Sequence, residues 1–399
     1  MPVAAPQSRG KAVSFLNRSP RLRATRALKG WISEGVLPRG ERLPSAYDLS
    51  ARLQIPRSTV NLALRELAQE GWISGAGRHR TVLGAANGAS CVMDHTLVVL
   101  SDLSPDTVTG HHAAGWQEFI QLGVLRAAQE AGMHSLVMQA ALAPEGRAHP
   151  LAGDRPRGVV ALRGAVDSER GRALLRTLMD RGLPVVAYGD AGEVPAFDTV
   201  CSDHEAGSYE LTRWLIRRGC RRILRYWLLQ PALPRRPGWL VSRDRGHERA
   251  IREAGLPLLP ALEARELLLA TGSREDFDAL AKYSVGQLSP HLAGRQPVDA
   301  ILCVSDGAVT HVAAACRLLG KRPNTDVALV GYDNYWMEVP GRQWEPTPPL
   351  ATVDKRNLQI GQALVELLRD RLAGKLPPEP QHRLVPPDLV PCETKADSP

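Results

Sequence analysis

The segment RSTVNLALR carries side chains that can form hydrogen bonds with nucleic-acid bases and phosphates. Its polar residues are Arg57, Ser58, Thr59, Asn61 and Arg65. Arginine can donate two bonds to a guanine edge, asparagine can bond adenine, and serine or threonine hydroxyls can bond a base or a phosphate. A helix N-terminus also favours a phosphate group. The chemistry that this segment predicts is recognition of DNA.

Local signals predict the elements that would position these side chains. Val60, Leu64 and Leu67 recur at helical spacing, so one face of a helix is buried and the polar residues face outward. Ser45 and Asp48 form a capping-box pattern, which starts a shorter helix before it. We therefore predict two helices joined by a turn.

A glycine-rich basic hairpin is predicted after the second helix. A strand begins near Ile73, and Gly75–Gly77 form a tight turn that is followed by Arg78 and His79. A basic hairpin tip of this kind suits a phosphate track or a minor groove. The order of helix, turn, helix and hairpin is that of a winged helix-turn-helix domain.

Residues 20–84 resemble the GntR-type winged-helix domain, on the segments LPSAYDLS, PRSTVN and the glycine-rich hairpin. The family pattern has Glu-Arg where Ala46 and Tyr47 stand, a capping serine or threonine at Pro56, and often arginine at Asn61. Because of these departures, the family's target sequence does not transfer to this chain. The residues that we expect to contact DNA are Ser45, Tyr47, Arg57, Ser58, Thr59, Asn61, Arg65, Gly77, Arg78 and His79.

Length and composition limit the classes of protein to which this chain can belong. Its 399 residues predict two or three domains, and a net charge of +8 fits a polyanionic partner. No apolar run reaches the roughly 20 residues of a membrane span, and the first residues lack the apolar core of a signal peptide, so we expect a cytoplasmic protein without membrane contact. The six cysteines are scattered without a CxxC pair, and we expect no metal and no cofactor.

Changes in composition predict four parts of the chain. Residues 1–19 form a flexible arm, residues 20–84 the DNA-binding domain, residues 85–95 a linker of small and polar residues, and residues 96–395 a larger domain. In the larger domain, short apolar strands alternate with amphipathic helices, which predicts parallel sheets with helices on both faces. About 300 residues exceed the needs of one such sheet, so we predict an α/β domain of two lobes.

Open parallel sheets bind ligands beyond the carboxyl ends of their strands. The polar or aromatic residues that we place there as candidate ligand contacts are Ser101, Asp102, Trp116, Arg163, Asp190, Arg243, Asp306 and Asp333. Carboxylates accept hydroxyl protons, arginine donates paired bonds and tryptophan stacks on sugar faces, so the set suits a hydroxyl-rich ligand. Each carboxylate could instead cap the helix that follows it.

The order of motifs in residues 96–395 resembles the effector domains of LacI/GalR-type regulators. The resemblance rests on FDTVCSDHEAGSYELTRWLIRRGC, VSRDRGHERAIREAGL, VSDGAVTHVAAACRLLG, DVALVGYDN and PPLATVDKRNLQIG. Arg243 falls on the family's ligand-binding arginine, whereas His247, Ser305 and Cys220 replace the usual aromatic, asparagine and histidine. The resemblance implies a periplasmic-binding-protein-like fold with lobe crossings near 219, 346–354 and 383–390, and a homodimer.

Together these features predict a ligand-responsive transcription regulator, with repression as its expected mode. Its partners would be a palindromic double-stranded DNA operator and a sugar or sugar derivative, although a purine or another polar metabolite could fit the same cleft. A solute-binding receptor is the second class, against which the DNA-binding head argues. An enzyme is the third, but no lysine follows a predicted strand of the body to hold pyridoxal phosphate, and no GxSxG elbow is present.

Overall fold

The computed structural model describes residues 20–33, 35–38, 40–75, 79–83, 92–101, 115–139, 156–189, 196–229, 236–265 and 273–392. The chain divides into two compact units, Met1–Asp94 and His95–Pro399, called here the head and the body. The predicted arm at 1–19 and the candidate residues Gly77, Arg78, Asp102 and Asp190 lie outside the described residues. Most of the predicted linker also lies outside them, and its last part, Val92–His95, forms one turn of 3-10 helix.

Among its described residues, the head contains three α-helices and a two-stranded hairpin. These are α1 (Pro20–Ser33), α2 (Ala46–Leu53), α3 (Arg57–Gln69), β1 (Ile73–Ser74) and β2 (Thr81–Val82). The two strands pair antiparallel. Val60, Leu64 and Leu67 are fully buried in the head's core, as the helical spacing predicted.

The two helix starts in the head differ in their caps. At α2 the predicted capping box is present, because the Asp48 N–H donates to Ser45 Oγ and the Ser45 N–H donates to Asp48 Oδ2, each at 3.2 Å. At α3 Pro56 occupies the N-cap and offers no side-chain acceptor. Its φ of −53° lies within proline's fixed range, so the chain enters the helix without that bond.

The body contains eight helices and twelve strands among its described residues. Its helices are α4 (Gly115–Glu130), α5 (Arg163–Asp167), α6 (Glu169–Asp180), α7 (His204–Arg217), α8 (Gly238–Glu253), α9 (Arg274–Leu292), α10 (Asp306–Leu318) and α11 (Asn357–Leu372). Its strands are β3 (Thr96–Leu100), β4 (His134–Met138), β5 (Gly158–Ala161), β6 (Val185–Tyr188), β7 (Asp198–Ser202), β8 (Ile223–Leu229), β9 (Leu262–Arg265), β10 (Ala300–Cys303), β11 (Ala328–Val330), β12 (Ala351–Asp354), β13 (His382–Val385) and β14 (Asp388–Pro391). In the part of the chain that the structure covers, no helix is both long and apolar enough to cross a membrane.

Two parallel sheets form the two lobes of the body, which confirms the predicted fold. The first lobe has six strands in the order β13-β7-β6-β5-β3-β4, and the second has four in the order β11-β10-β8-β9. Strands β12 and β14 form a separate antiparallel pair. Strands β7, β9, β12, β13 and β14 were not predicted, because they are short and carry polar residues or lack an apolar run.

The chain crosses between the lobes at three places. The first crossing lies at Asp203, and the prediction near residue 219 is wrong, because α7 packs on α8 and buries Leu211 and Leu215 in the second lobe. The second crossing, at Lys355–Arg356, directly follows the predicted segment, and the third lies between β13 and β14 as predicted. Arg356 donates to both carboxylate oxygens of Asp388, so the second and third crossings are joined side by side.

The start of α8 also differs from its prediction. We predicted that Arg243 follows a strand, WLVS, but α8 begins at Gly238 directly after Pro237. Proline's fixed φ suits the entry to a helix, and the consecutive apolar residues that suggested a strand form its first turn. Leu240 in that turn is fully buried. Arg243 therefore projects from the second turn of a helix.

Helices α4 and α11 cross at a close approach of two glycines. A Cβ on Gly123 would overlap the backbone carbonyl of Leu358, and one on Gly361 would overlap that of Ile120. Ala128 is fully buried in this core and Leu125 packs against it. This contact fixes α11, and with it the second crossing, against the first lobe.

The substitution Gly361→Ala should lower the free energy of unfolding by about 1–3 kcal/mol, because the added methyl group must push the helices apart. Gly286→Ala is the matched control, since a Cβ there meets no atom within 4 Å. In α9 it should raise stability by about 0.5–1 kcal/mol through the lower entropy of the unfolded chain. Chemical denaturation measures both values, and equal stability of the two variants would contradict the close crossing.

Candidate functional site

The exposed start of α3 is the candidate DNA-binding surface of the head. Arg57, Asn61 and Arg65 are spaced four residues apart and so lie on one face of the helix. Arg57, Ser58 and Arg65 are exposed, whereas Asn61 is half-buried. Val60 and Leu64, which border this face, are fully buried. The described head therefore presents the polar residues as the sequence predicted.

The charges of α3 are separated between its two faces. On the side towards α1, Glu66 accepts from Arg21 at 3.0 Å, and Glu70 pairs with Lys29 at 2.5 Å. On the opposite side, no ion pair among the described residues involves Arg57 or Arg65. The acidic residues of the helix are thus neutralised internally, while its outer face keeps a positive charge for a polyanion.

The other described residues that we predicted to contact DNA lie in different environments. Tyr47 is 71% exposed on α2, and His79 is exposed next to β2. Ser45 Oγ is engaged in the capping box and donates to Asp48 at 2.6 Å. Gly75 adopts a φ of +88° and a Cβ there would overlap the His79 carbonyl, so the hairpin turn requires glycine.

In the body, Arg243 is the anchored centre of a cleft between the lobes. Its side chain is 3% exposed, and its guanidinium lies 3.4 Å from the ring centroid of Tyr332 and 4.6 Å from that of Trp239. It donates to the Val304 carbonyl at 2.7 Å and to His204 Nδ1 at 3.4 Å. Stacking and hydrogen bonds together leave this arginine little freedom, so it can present a fixed charge to a ligand.

Asp333 is the carboxylate that faces this arginine. Its Oδ1 lies 3.5 Å from Arg243 Nη2 and 3.0 Å from Lys355 Nζ. The backbone of Asp333 has a φ of +89°, which is strained for any residue except glycine. The adjacent Asn334 also has a positive φ and donates to Asp354 at 3.0 Å. The strained turn directs Asp333 towards the two cations.

Lys355 belongs to this cleft, although the sequence reasoning missed it. It is 4% exposed, and its ammonium lies 4.3 Å from the ring centroid of Trp116. Its signal in the sequence was its place directly after TVD, at the end of β12, which was not predicted as a strand. His204 and Tyr332 were also missed, because nothing in their local sequence marks them as cleft residues.

The first lobe contributes Trp116, Arg163 and Tyr188 to the same cleft. The ring centroids of Trp116 and Tyr188 lie 5.7 Å apart, and the Arg163 guanidinium lies 5.8 Å from the Trp116 centroid. Arg163 also donates to Asp167 one helical turn later at 2.9 Å. Ser101 ends β3 and is buried. The structure therefore brings Trp116, Arg163, Arg243 and Asp333 together from the predicted set.

Asp306 has a different setting from the other predicted residues. It is fully buried at the start of α10, where it accepts from the Thr352 hydroxyl at 2.7 Å and from the Tyr335 N–H at 2.8 Å. These bonds hold the loop that carries Asp333. The geometry supports a positioning role for Asp306, and direct ligand contact by this residue stays a prediction.

Trp336 and Trp344 of the second lobe pack against other side chains. Trp344 packs against Phe277 with ring centroids 5.3 Å apart, and the Arg342 guanidinium lies 5.8 Å from the Trp336 centroid. Trp239 and Trp116 are the tryptophans that line the cleft. A tryptophan in an irregular segment is therefore not by itself a signal for a ligand site.

Burial and the neighbouring cations control the ionisation of the cleft. Burial, followed by repulsion from Arg243 and Lys355, holds the pKa of His204 well below its usual range, so the imidazole is neutral and can accept from Arg243. Burial also lowers the pKa of Lys355, although Asp333 opposes that shift. Burial raises the pKa of Asp306 to about 7, although its bond from Thr352 opposes the shift.

This raised pKa predicts a pH dependence of stability. Because the folded chain holds the Asp306 proton more tightly than the unfolded chain, its contribution is most favourable below about pH 4 and decreases as the pH rises to about 7. Asp306→Asn cannot ionise. The free energy of unfolding of the wild type relative to this variant should therefore fall between about pH 4 and 7 and level off above about pH 8. A difference independent of pH would contradict the shift.

Comparisons with known proteins agree with both parts of the structure. Residues 20–83 match the family described as bacterial regulatory proteins, gntR family, and residues 212–394 match the periplasmic binding protein-like domain. The chain is 31% identical over 234 residues to the HTH-type transcriptional repressor PurR of Erwinia tasmaniensis, covering 58% of this chain and 62% of that protein. It is 28% identical over 221 residues to the sucrose operon repressor of Escherichia coli, covering 53% and 60%.

The alignments thus span about three-fifths of these two relatives. The arabinose metabolism transcriptional repressor of Geobacillus stearothermophilus aligns over 355 residues at 21% identity, covering 89% of this chain and 93% of that protein. Among solved structures, a transcriptional regulator CelR–cellobiose complex has a TM-score of 0.54 at 21% identity and covers 87% of this chain and 98% of that one. The chain therefore joins a gntR-type DNA-binding domain to a periplasmic-binding-protein-like domain, a fold that it shares with transcriptional regulators.

Proposed function

We propose that this protein is a ligand-responsive transcription repressor. The head binds operator DNA, and the body binds a sugar or a sugar derivative. Two observations in one chain carry the proposal. The first is a basic helix face whose Arg57 and Arg65 form no ion pair with any described residue, and the second is a cleft where charged and aromatic residues of two lobes converge. Three relatives named as repressors support the same function.

The head provides both kinds of contact that DNA recognition requires. The outer side of α3 offers Arg57, Ser58 and Asn61 to base edges, and the helix start and the hairpin offer contacts to phosphates. A homodimer would place two such helices in successive major grooves, so we propose a palindromic operator. Operator binding also assigns the protein to the cytoplasm, where the DNA lies.

The cleft provides stacking surfaces and fixed donors for a hydroxyl-rich ligand. Trp116 and Tyr188 come from the first lobe, Arg243 and Asp333 from the second, and Lys355 from a crossing. Trp239 Nε1 is a buried donor with no hydrogen-bond partner among the described residues. A ligand that contacts both lobes stabilises their closed arrangement and can shift DNA affinity by a coupling of about 1–3 kcal/mol.

We propose no catalytic activity for this cleft. Arg243, Asp333 and Lys355 are engaged in one ion-pair cluster, and the neutral His204 accepts from Arg243 and so has no free basic nitrogen on that side. The described residues contain no group of three or more His, Cys, Asp or Glu side chains that could hold a metal ion. The relatives compared above are named as repressors.

Arg57→Ala should weaken binding to the DNA upstream of the protein's own gene by about tenfold or more, because it removes a base or phosphate contact. The slope of affinity against salt concentration should also become shallower by about 1 if the contact is to a phosphate. Fluorescence anisotropy at several salt concentrations measures both effects. Arg21→Ala removes the same charge from the side that pairs with Glu66 and should change affinity less than about twofold. Equal losses in both variants would argue against α3 as the recognition helix.

Arg243→Ala should abolish the response to ligand and leave operator affinity in the absence of ligand unchanged, because the residue lies in the cleft of the body. The measurement is operator binding with and without a panel of sugars and purine bases. Arg322→Ala is the control, since Arg322 is 72% exposed and pairs with Asp326 on the surface. If Arg243→Ala loses operator binding as well, the assignment of DNA binding to the head and ligand binding to the body is wrong. A response to a purine base alone would replace the sugar as the ligand class.

A further inference from the structure

Among the described residues of the cleft, two buried cations pair with one carboxylate. Arg243 and Lys355 are 3% and 4% exposed, and both direct their charge at Asp333. Among the described residues, Asp306 forms no ion pair with either cation, and its oxygens accept from the Thr352 hydroxyl and the Tyr335 N–H. Two buried cations therefore share one carboxylate. A buried charge without a full partner is costly, unless a bound group supplies the opposite charge.

The excess charge is concentrated around one aromatic ring. Lys355 Nζ lies 4.3 Å and Arg163 Cζ lies 5.8 Å from the centroid of Trp116, and these cations come from different elements, a lobe crossing and the start of α5. The ion pair of Arg163 with Asp167 is partly exposed, so it contributes little to stability. A group that contacts the Trp116 ring is therefore within reach of both cations.

Among the described residues around Lys355, hydrogen-bond donors outnumber acceptors. Lys355 has three N–H donors, and Asp333 is its only ionic partner among the described residues. Oδ1 of Asp333 already receives both Lys355 and Arg243. A neutral sugar brings hydroxyl groups that need acceptors as well as donors, and Asp333, the described carboxylate between these cations, is already engaged by both. Carboxylate or phosphate oxygens accept only, and they match this surplus of donors.

We propose that the effector is an anionic carbohydrate, a sugar that carries a carboxylate or a phosphate group, and that Lys355 and Arg163 bind this group beside Trp116. The proposal rests on the proposed function and defines its ligand class. Arg243 and Asp333 then contact the sugar hydroxyls, while Trp116 stacks on the ring. The negative group completes the charge balance that Asp333 alone leaves incomplete.

The first test uses matched pairs of ligands with the full-length protein. Isothermal titration calorimetry compares glucuronate with glucose, galacturonate with galactose, and glucose 6-phosphate with glucose. At least one acidic member should bind about 10- to 100-fold more tightly than its neutral counterpart, the gain expected of charge-assisted hydrogen bonds. The uronate and phosphate arms distinguish the two sources of negative charge. Equal or tighter binding of the neutral sugars would overturn the proposal.

The variant Lys355→Gln keeps a donor but removes the charge, and it should reduce the preference for the acidic sugar to less than about threefold. Lys375→Gln is the matched control, because Lys375 is 69% exposed and lies outside the cleft, and it should keep the full preference. The same samples are assayed for operator binding. Release of DNA by a neutral sugar would overturn this inference and support the proposed function. An acidic sugar that binds without changing operator affinity would support this inference and contradict the proposed function.

A second measurement needs no ligand. If Lys355 is an incompletely paired buried cation, Lys355→Gln should leave the thermal midpoint of the ligand-free protein unchanged or raise it. If Lys355 instead serves as a structural partner of Asp333, its loss should lower the midpoint by more than about 4 °C. That fall, without any preference for acidic sugars in the wild type, would overturn the proposal.

Discussion

The Asp333 carboxylate lies between two buried cations, Lys355 at 3.0 Å and Arg243 at 3.5 Å. Each of the three residues comes from a different part of the body: the turn after β11, the second crossing and the second turn of α8. One ion cluster therefore joins the interior of the second lobe to a segment that links the lobes. A ligand that changes the balance of charge in this cluster acts directly on that link, so its binding can shift the equilibrium between arrangements of the two lobes.

The rest of the body holds this cluster in position. Asp306 binds the loop from Tyr335 and the strand from Thr352, and the strained backbone at Asp333 is stable only because these bonds surround it. On the other side, the crossing of α4 with α11 at Gly361 fixes the helix that follows Lys355. Strain and close packing are thus concentrated on the elements that flank the cleft.

Ion pairs also determine how charge is distributed on the head. The acidic residues of α3, Glu66 and Glu70, pair with Arg21 and Lys29 of α1. Arg57 and Arg65 remain on the outer side. In both units, the positions of the carboxylates decide which cations stay available for a partner.

Periodicity and capping signals in the sequence determined the secondary elements of the head and most of the body. The spacing of Val60, Leu64 and Leu67 defined the buried face of α3, and the apolar runs defined the central parallel strands, because local hydrophobic patterns reflect burial. The family motifs also identified Arg243 and Asp333. Only the tertiary structure revealed Lys355 and His204 in the cleft, since their roles depend on contacts between segments far apart in the chain. It likewise separated Asp306 from the cleft residues: an aspartate before a helix has the same sequence pattern whether it caps, supports a loop or binds a ligand, and only its burial and partners distinguish these roles.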